Sequence, residues 1–154
     1  MPRLRERLPG VVTYHIGSNP PPAVTKLQGE GIEVVGFVPE IEPWFDKCRL
    51  SVSPLRYGAG VKGKINHSMS RGLPVVATAT SVEGMHLVAG EEVLVADDPE
   101  AFADAIARLY RDEALWTCLS QAGIANVRRH FSPEAAAEPI GRVFELAGRK
   151  GARP

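Results

Sequence analysis

Gly58, Gly60 and Gly63 stand at G-x-G-x-x-G spacing within PLRYGAGVKGKINHSMSRGLPVV, residues 54–76, and Gly58 to Lys64 also fit G-x-x-x-x-G-K. Both spacings belong to phosphate chemistry. Glycines let an anion approach the backbone, and a helix starting just behind them offers unpaired N–H groups and the positive end of its dipole. Lys62 and Lys64 add cationic charge beside those donors. The bland alternative is a tight turn with two solvated lysines.

The residues around the loop separate the nucleotide classes. A triphosphatase loop needs Ser or Thr after its lysine to ligate magnesium, and Ile65 stands there. A dinucleotide loop follows the first strand of its unit and has an acid at the end of the next strand to hold a ribose. Here two strand-like segments precede the loop, the next strand ends at Ala77 and Thr78, and Glu83 comes several residues too late.

The elements that must position this loop follow from periodicity and punctuation. Val11–Ile16, Glu33–Val38 and Leu50–Pro54 read as strands, and Leu73–Ala77, apolar on both faces, as a strand in the middle of a parallel sheet. Val93–Ala96 reads as the last strand. Helices are predicted from Asn19 as cap to about Gln28, over Pro39–Lys47, and from Lys62 to Arg71 with a stop at Gly72. Asp98-Pro99-Glu100 starts another, Asp112 caps one ending near Gly123, and Ser132-Pro133-Glu134 opens the last. Its apolar stripe is Ala136, Ile140, Val143, Phe144 and Ala147. Alternating strands and helices imply an α/β fold with a doubly wound parallel sheet, Rossmann-like, whose ligands sit at the carboxyl ends of the strands. Gly17, Gly36, the Gly58 loop and Thr78 all fall there.

Composition narrows the partners. The chain has 154 residues, 44% of them hydrophobic and 23% charged, which suits one domain over 1–154 with residues 1–10 and 149–154 at the periphery or frayed. Lys plus Arg and Asp plus Glu both number 18, so no overall field draws nucleic acid or an anionic membrane. Cys48 and Cys118 lack metal spacing, and no run of apolar residues is long enough to span a bilayer. The opening MPRLRERLPG carries no apolar run before Pro9, so a cytoplasmic setting is expected, and the segment could equally be the tail of a helix that starts outside this chain.

Read together, VVTYHIGSNPPP, IEVVGFVPEIEPWF, the stretch from SVSPLRYGAG to LPVVAT, SVEGM and EEVLVADDPEAFADAIARLYRDEALW resemble the carboxy-terminal, donor-binding domain of GT-B glycosyltransferases of the group often called family four, over about Val11 to Leu146. The resemblance implies one half of a GT-B architecture and transfer of a sugar from a UDP- or GDP-linked donor to an unspecified acceptor. It further implies retention at the anomeric carbon, no cofactor and no metal. Gly36, Phe37 and Val38 would lie beside the base. Gly58, Ala59, Gly60, Val61, Lys62, Gly63 and Lys64 would cradle the diphosphate, with Glu83 and Gly84 beside the same cleft. The partner would be an amino-terminal acceptor-binding domain absent from this chain, and peripheral membrane association would belong mainly to that half.

One departure bears on the chemistry. Relatives often carry two glutamates with seven residues between them, one toward the donor sugar and one toward the ribose, at the positions of Ala59 and His67. His67 could still bond a ribose hydroxyl, whereas Ala59 cannot replace a carboxylate, so no catalytic residue is assigned. A UDP-sugar epimerase of the same architecture and a noncatalytic nucleotide-binding domain stay open as alternatives.

The remaining candidates have ordinary expectations. His15, His86 and His130 show no metal spacing and are expected at the surface or half-buried. Trp44 and Phe45 are expected in a helix–sheet core. Arg128-Arg129-His130 reads as a solvated turn, Arg56 as a cation near the phosphate loop or paired with an acid. No spacing supports a Ser-His-Asp or Cys-His nucleophile.

Overall fold

The computed structural model describes residues 1–151, with residues 138 and 145–151 given by backbone alone. The elements run α1 (Pro2–Arg7), β1 (Thr13–Ile16), α2 (Pro22–Thr25), β2 (Ile32–Gly36), α3 (Glu42–Lys47), β3 (Ser51–Ser53) and α4 (Gly63–Ser70). They continue as β4 (Val75–Ala77), α5 (Ala79–Val82), β5 (Leu94–Val95), α6 (Pro99–Arg111), α7 (Glu113–Phe131) and α8 (Pro133–Gly151). Every ladder is parallel, as alternating strands and helices require. Hydrogen bonding groups the strands as two sheets, β1–β2 and β3–β4–β5, in a Rossmann-like α/β arrangement.

β4 is the centre of the core. Val75, Val76 and Ala77 are each 0% exposed. Alternation sends Val76 to one side, with Leu4, Leu8, Ile106, Leu109 and Leu119, and Val75 and Ala77 to the other, with Ile65, Met69, Met85 and Val93. Each buried valine contributes about 1.5–3 kcal/mol through its burial. That explains why this short strand was legible as an unbroken apolar run.

Helix starts follow their capping residues. Asp98 accepts from the N–H groups of Glu100 and Ala101, Asp112 from that of Leu115, and the Ser132 hydroxyl from that of Ala135. Asn19 does not cap. It has φ +50°, Pro21 is extended, and α2 is a single turn, because each residue ahead of a proline in Asn19–Pro22 is pushed out of the helical region.

The opening residues, α7 and α8 depart from expectation. The opening residues, expected at the periphery, form α1, whose Leu4 and Leu8 enter the core and whose Arg3 and Arg7 pair with Glu100 and Asp104 of α6. Residues 149–151 continue α8, while 152–154 lie outside the described residues. Helix α7 does not stop at Gly123 but runs on to Phe131, because that glycine serves packing: a Cβ there would lie 3.2 Å from Met69 Cγ of α4. The apolar stripe of α8 faces solvent at Ile140, Val143 and Phe144. Ala147 belongs to the segment described by backbone alone.

Gly72 does end its segment as expected. Its φ is +75°, and its carbonyl accepts a 2.6 Å bond from the Ser120 hydroxyl of α7, which fixes α4 against α7 just before β4 begins.

Candidate functional site

The glycine loop leaves β3 at its carboxyl end and returns as α4. Its base is held by three hydroxyls. Ser81 Oγ donates to the Ser53 carbonyl at 2.6 Å and accepts from Ser53 Oγ at 3.0 Å. Thr78 Oγ1 donates to the Leu55 carbonyl at 2.6 Å and lies 2.9 Å from Ser81 Oγ. Ser81 is fully buried and Thr78 nearly so, so their bonds satisfy groups that burial would otherwise penalise. These residues sit around α5, a helix absent from the sequence reading, whose first N–H, at Ala79, donates to Asp97 Oδ1 at 2.9 Å. The hydroxyl-rich SVSP and TATS stretches were the available signal, but hydroxyls at strand ends carry no pairing information until the strands are aligned.

Above that base the loop is open. Gly58 and Gly60 have φ +154° and +74°, backbone that other residues rarely adopt. A Cβ on Gly60 or Gly63 would meet nothing within 4 Å. Ala59 and Val61 are exposed between them. The space beside the backbone is therefore free for a ligand.

The two lysines separate in role. The Lys62 N–H donates to Met85 Sδ at 3.2 Å, and its ammonium donates to the Glu83 carbonyl at 3.1 Å. Lys62 thus ties the loop to the turn holding Glu83 and Gly84, and Gly84, at φ +73°, also has open space beside it. Lys64 is exposed and makes no ion pair among the described residues.

The amino end of α4 is uncapped, unlike those of α6, α7 and α8. Its ladder starts with the Ile65 and Asn66 N–H groups bonding the Lys62 carbonyl, which leaves those of Gly63 and Lys64 pointing out of the helix start. Unsatisfied donors and the positive dipole end coincide at this helix start, and Lys64, which makes no ion pair among the described residues, is its second residue.

Gly36 joins this end of the fold through its carbonyl, which accepts from the Gly17 N–H at 2.9 Å. Phe37, next along, is 72% exposed, and Val38 is half-buried. His67, one turn into α4, meets α3: its Nε2 is 3.5 Å from Glu42 Oε1, and its ring packs edge-on to Phe45 at 4.9 Å. Glu42 Oε2 accepts from the Ile41 N–H at 3.1 Å. The Glu42 carboxyl is held below the usual range, first by its own backbone N–H and, more weakly, by the charge His67 gains on protonation. Sequence reasoning missed Glu42, which in EIEPW reads only as a helix-start acid.

Other expected residues stand apart. Trp44 and Phe45 are half-buried rather than core, Trp44 meeting Tyr14 edge-on at 5.2 Å. His86 and His130 stack on each other at 4.5 Å, away from any metal-type cluster among the described residues. Among those residues, too, no helix is long and apolar enough to cross a membrane. Two surface hollows, one lined by Val11, Val12 and Gly31 and one by Gly90, Leu94 and Arg108, contain no residue of the glycine loop.

A search of curated proteins finds no match. Among solved structures, the chain is similar to sucrose-phosphate synthase from Thermosynechococcus elongatus, with TM-score 0.78 and 22% identity over 96% of this chain and 41% of that one. It is similar to Anabaena HepE, solved in complex with UDP, with TM-score 0.79 and 16% identity over 95% of this chain and 45% of that one. Similarity to S. aureus TarM, in a complex that includes UDP, has TM-score 0.78 and 16% identity over 92% of this chain and 30% of that one. The chain thus spans less than half the length of each. Such likeness shows the fold, a Rossmann-like half of a GT-B architecture. A family model described as glycosyl transferases group 1 matches residues 1–112, most of the chain and all of the glycine loop, and the chain belongs to that family.

Proposed function

We propose that this chain is the donor-binding half of a glycosyltransferase, and that the loop from Gly58 to Lys64 holds the diphosphate of a UDP- or GDP-linked sugar. The uncapped start of α4 behind open glycines carries the proposal. There the Gly63 and Lys64 N–H groups lack partners, Lys64 carries a cationic side chain at the same helix start, and a diphosphate offers the acceptors that those donors lack. When the bond between the anomeric carbon and the phosphate oxygen breaks, negative charge grows on the leaving diphosphate. Donors already in place stabilise that charge more than they stabilise the bound sugar nucleotide. Support comes also from family membership and from two structural neighbours solved with UDP.

In this reading Gly36, Phe37 and Val38 flank the base, Glu83 and Gly84 lie beside the same cleft, and the acceptor binds on an amino-terminal domain supplied from outside this chain. Retention at the anomeric carbon and peripheral membrane association of the whole enzyme remain parts of the proposal carried by family resemblance. Ala59 favours one second reading: a methyl group where relatives often place a carboxylate suits a domain that binds a nucleotide without turning it over.

Calorimetric titration with UDP, GDP and NAD, repeated on Lys64→Ala, tests the site. Binding of UDP or GDP but not NAD, weakened by the substitution, is expected. Binding of NAD alone would overturn the proposal.

A further inference from the structure

The two sheets turn open edges toward the same part of the core. Val11 at the foot of β1 and Leu50 at the foot of β3 both pack against the apolar cluster around Val76, yet β1 and β3 share no ladder. The Thr13 and Gly17 N–H groups donate to the Gly31 and Gly36 carbonyls on the β2 side, so alternation turns the backbone groups of Tyr14 and Ile16 away from β2. The Ser51 N–H and the Ser53 carbonyl bond residues that flank β4, so those of Val52 point away from β4. Sheet edges that face water are commonly guarded by charges or proline. TYHI of β1 and SVS of β3 carry no acid, lysine, arginine or proline, whereas the outer strand β2 carries Glu33.

A side chain of β3 carries the same message. Val52 stands opposite Val76 in the register and shares its face, since Ser51 and Ser53 turn to Ser68 and Ser81 on the other. Val76, with a strand on either side, is 0% exposed, and Val52, with one, is 43% exposed. Direction follows from topology. Every ladder is parallel, and parallel neighbours are joined by right-handed crossovers through a helix. Helix α1, held on the core by Leu4 and Leu8, leads into β1 as a crossover helix would from a strand beside it. One strand between β1 and β3 would join both sheets and take the first place of the doubly wound order.

We infer that the open edges of β1 and β3 are an interaction surface for one extended strand from outside these 154 residues, parallel to both and apolar on both faces, carried by the polypeptide that supplies the acceptor half. For the source of that strand the inference rests on the donor-binding reading proposed above. The chain spans 41%, 45% and 30% of three structural neighbours, so more than half of each lies outside the matched region. Such a strand would give the Tyr14, Ile16 and Val52 backbone groups their partners and cover the Val52 side chain. Because β3 leads straight into the glycine loop, it would also steady the base from which that loop departs.

The test is backbone hydrogen exchange, followed by NMR on the chain itself and on a fusion. The fusion carries a run of valines as long as β1, four residues, ahead of Met1 on a flexible Gly-Ser linker, and a control fusion has proline at alternate valines. In the chain alone the Tyr14, Ile16 and Val52 amides should exchange far faster than those of Val76 and Ala77. In the valine fusion they should slow by roughly tenfold or more, and in the proline control they should stay fast. A folded valine fusion in which the three amides stay fast would overturn the inference, as would full protection of them in the chain alone. Protection that rises with concentration, alongside a dimer in sedimentation, would overturn it in favour of a second copy of this chain. UDP and GDP titrations of the chain and the fusion are read separately. Absence of nucleotide binding in both would overturn the donor-binding reading, while the exchange rates still decide whether a strand fills the gap.

Discussion

Lys62 and Lys64, two residues apart, show how little a residue's type says about its task. Lys62 spends its ammonium on the Glu83 carbonyl and so shapes the loop, whereas Lys64 is exposed and makes no ion pair among the described residues. Lys64→Ala should weaken nucleotide binding by about tenfold or more, the loss of one charge-assisted bond, and leave the thermal midpoint unchanged. Ser81→Ala should do the reverse. It strips the Ser53 carbonyl of a buried partner and should cost about 1–3 kcal/mol of stability by denaturant titration. At this scale the glycines and lysines of the loop were legible in the sequence, since their spacing is local. The contacts from Lys62 to Glu83, from Ser53 to Ser81 and from Glu42 to His67 were not, because each joins segments that only the fold brings together.

At the scale of elements, the order of strands and the capped starts of α6 and α7 were readable because apolar runs and Asp caps announce themselves locally. Gly123 was misread as a helix stop, since a glycine that ends a helix and one that admits a neighbouring helix look alike in sequence. Gly123→Leu should therefore cost about 1–3 kcal/mol by overpacking against Met69. The docking of α1 on α6 yields a prediction in pH. Arg3 and then Arg7 hold the Glu100 carboxyl below its usual range, and Arg7 does the same to Asp104. Depressed acids stabilise the fold above their unfolded pKa, near 4, and that contribution is lost as pH falls through the lower folded values. Thermal midpoints followed from pH 6 downward should thus separate wild type from Arg7→Ala above about pH 4, and converge below it. A gap that stayed constant at acid pH would show that Arg7 acts through packing alone.

For the whole molecule, the candidate site is exposed. Ala59 and Val61 are exposed in the glycine loop, a Cβ on Gly60 or Gly63 would meet nothing within 4 Å, and Phe37 is 72% exposed. The chain spans 41%, 45% and 30% of three structural neighbours, so on the proposed reading the opposite wall belongs to a domain outside it. Isolated, it should bind a nucleoside diphosphate and transfer no sugar to any acceptor; measured transfer would refute that division of labour. The most direct measurement is a titration of the ¹⁵N-labelled chain with UDP and GDP, following its backbone amide resonances. Saturable shifts centred on Gly60, Gly63 and Lys64, displaced to about tenfold or more higher nucleotide concentration in Lys64→Ala, are predicted for a diphosphate seated on the start of α4. Shifts confined to other parts of the chain, or none at millimolar nucleotide, would contradict it.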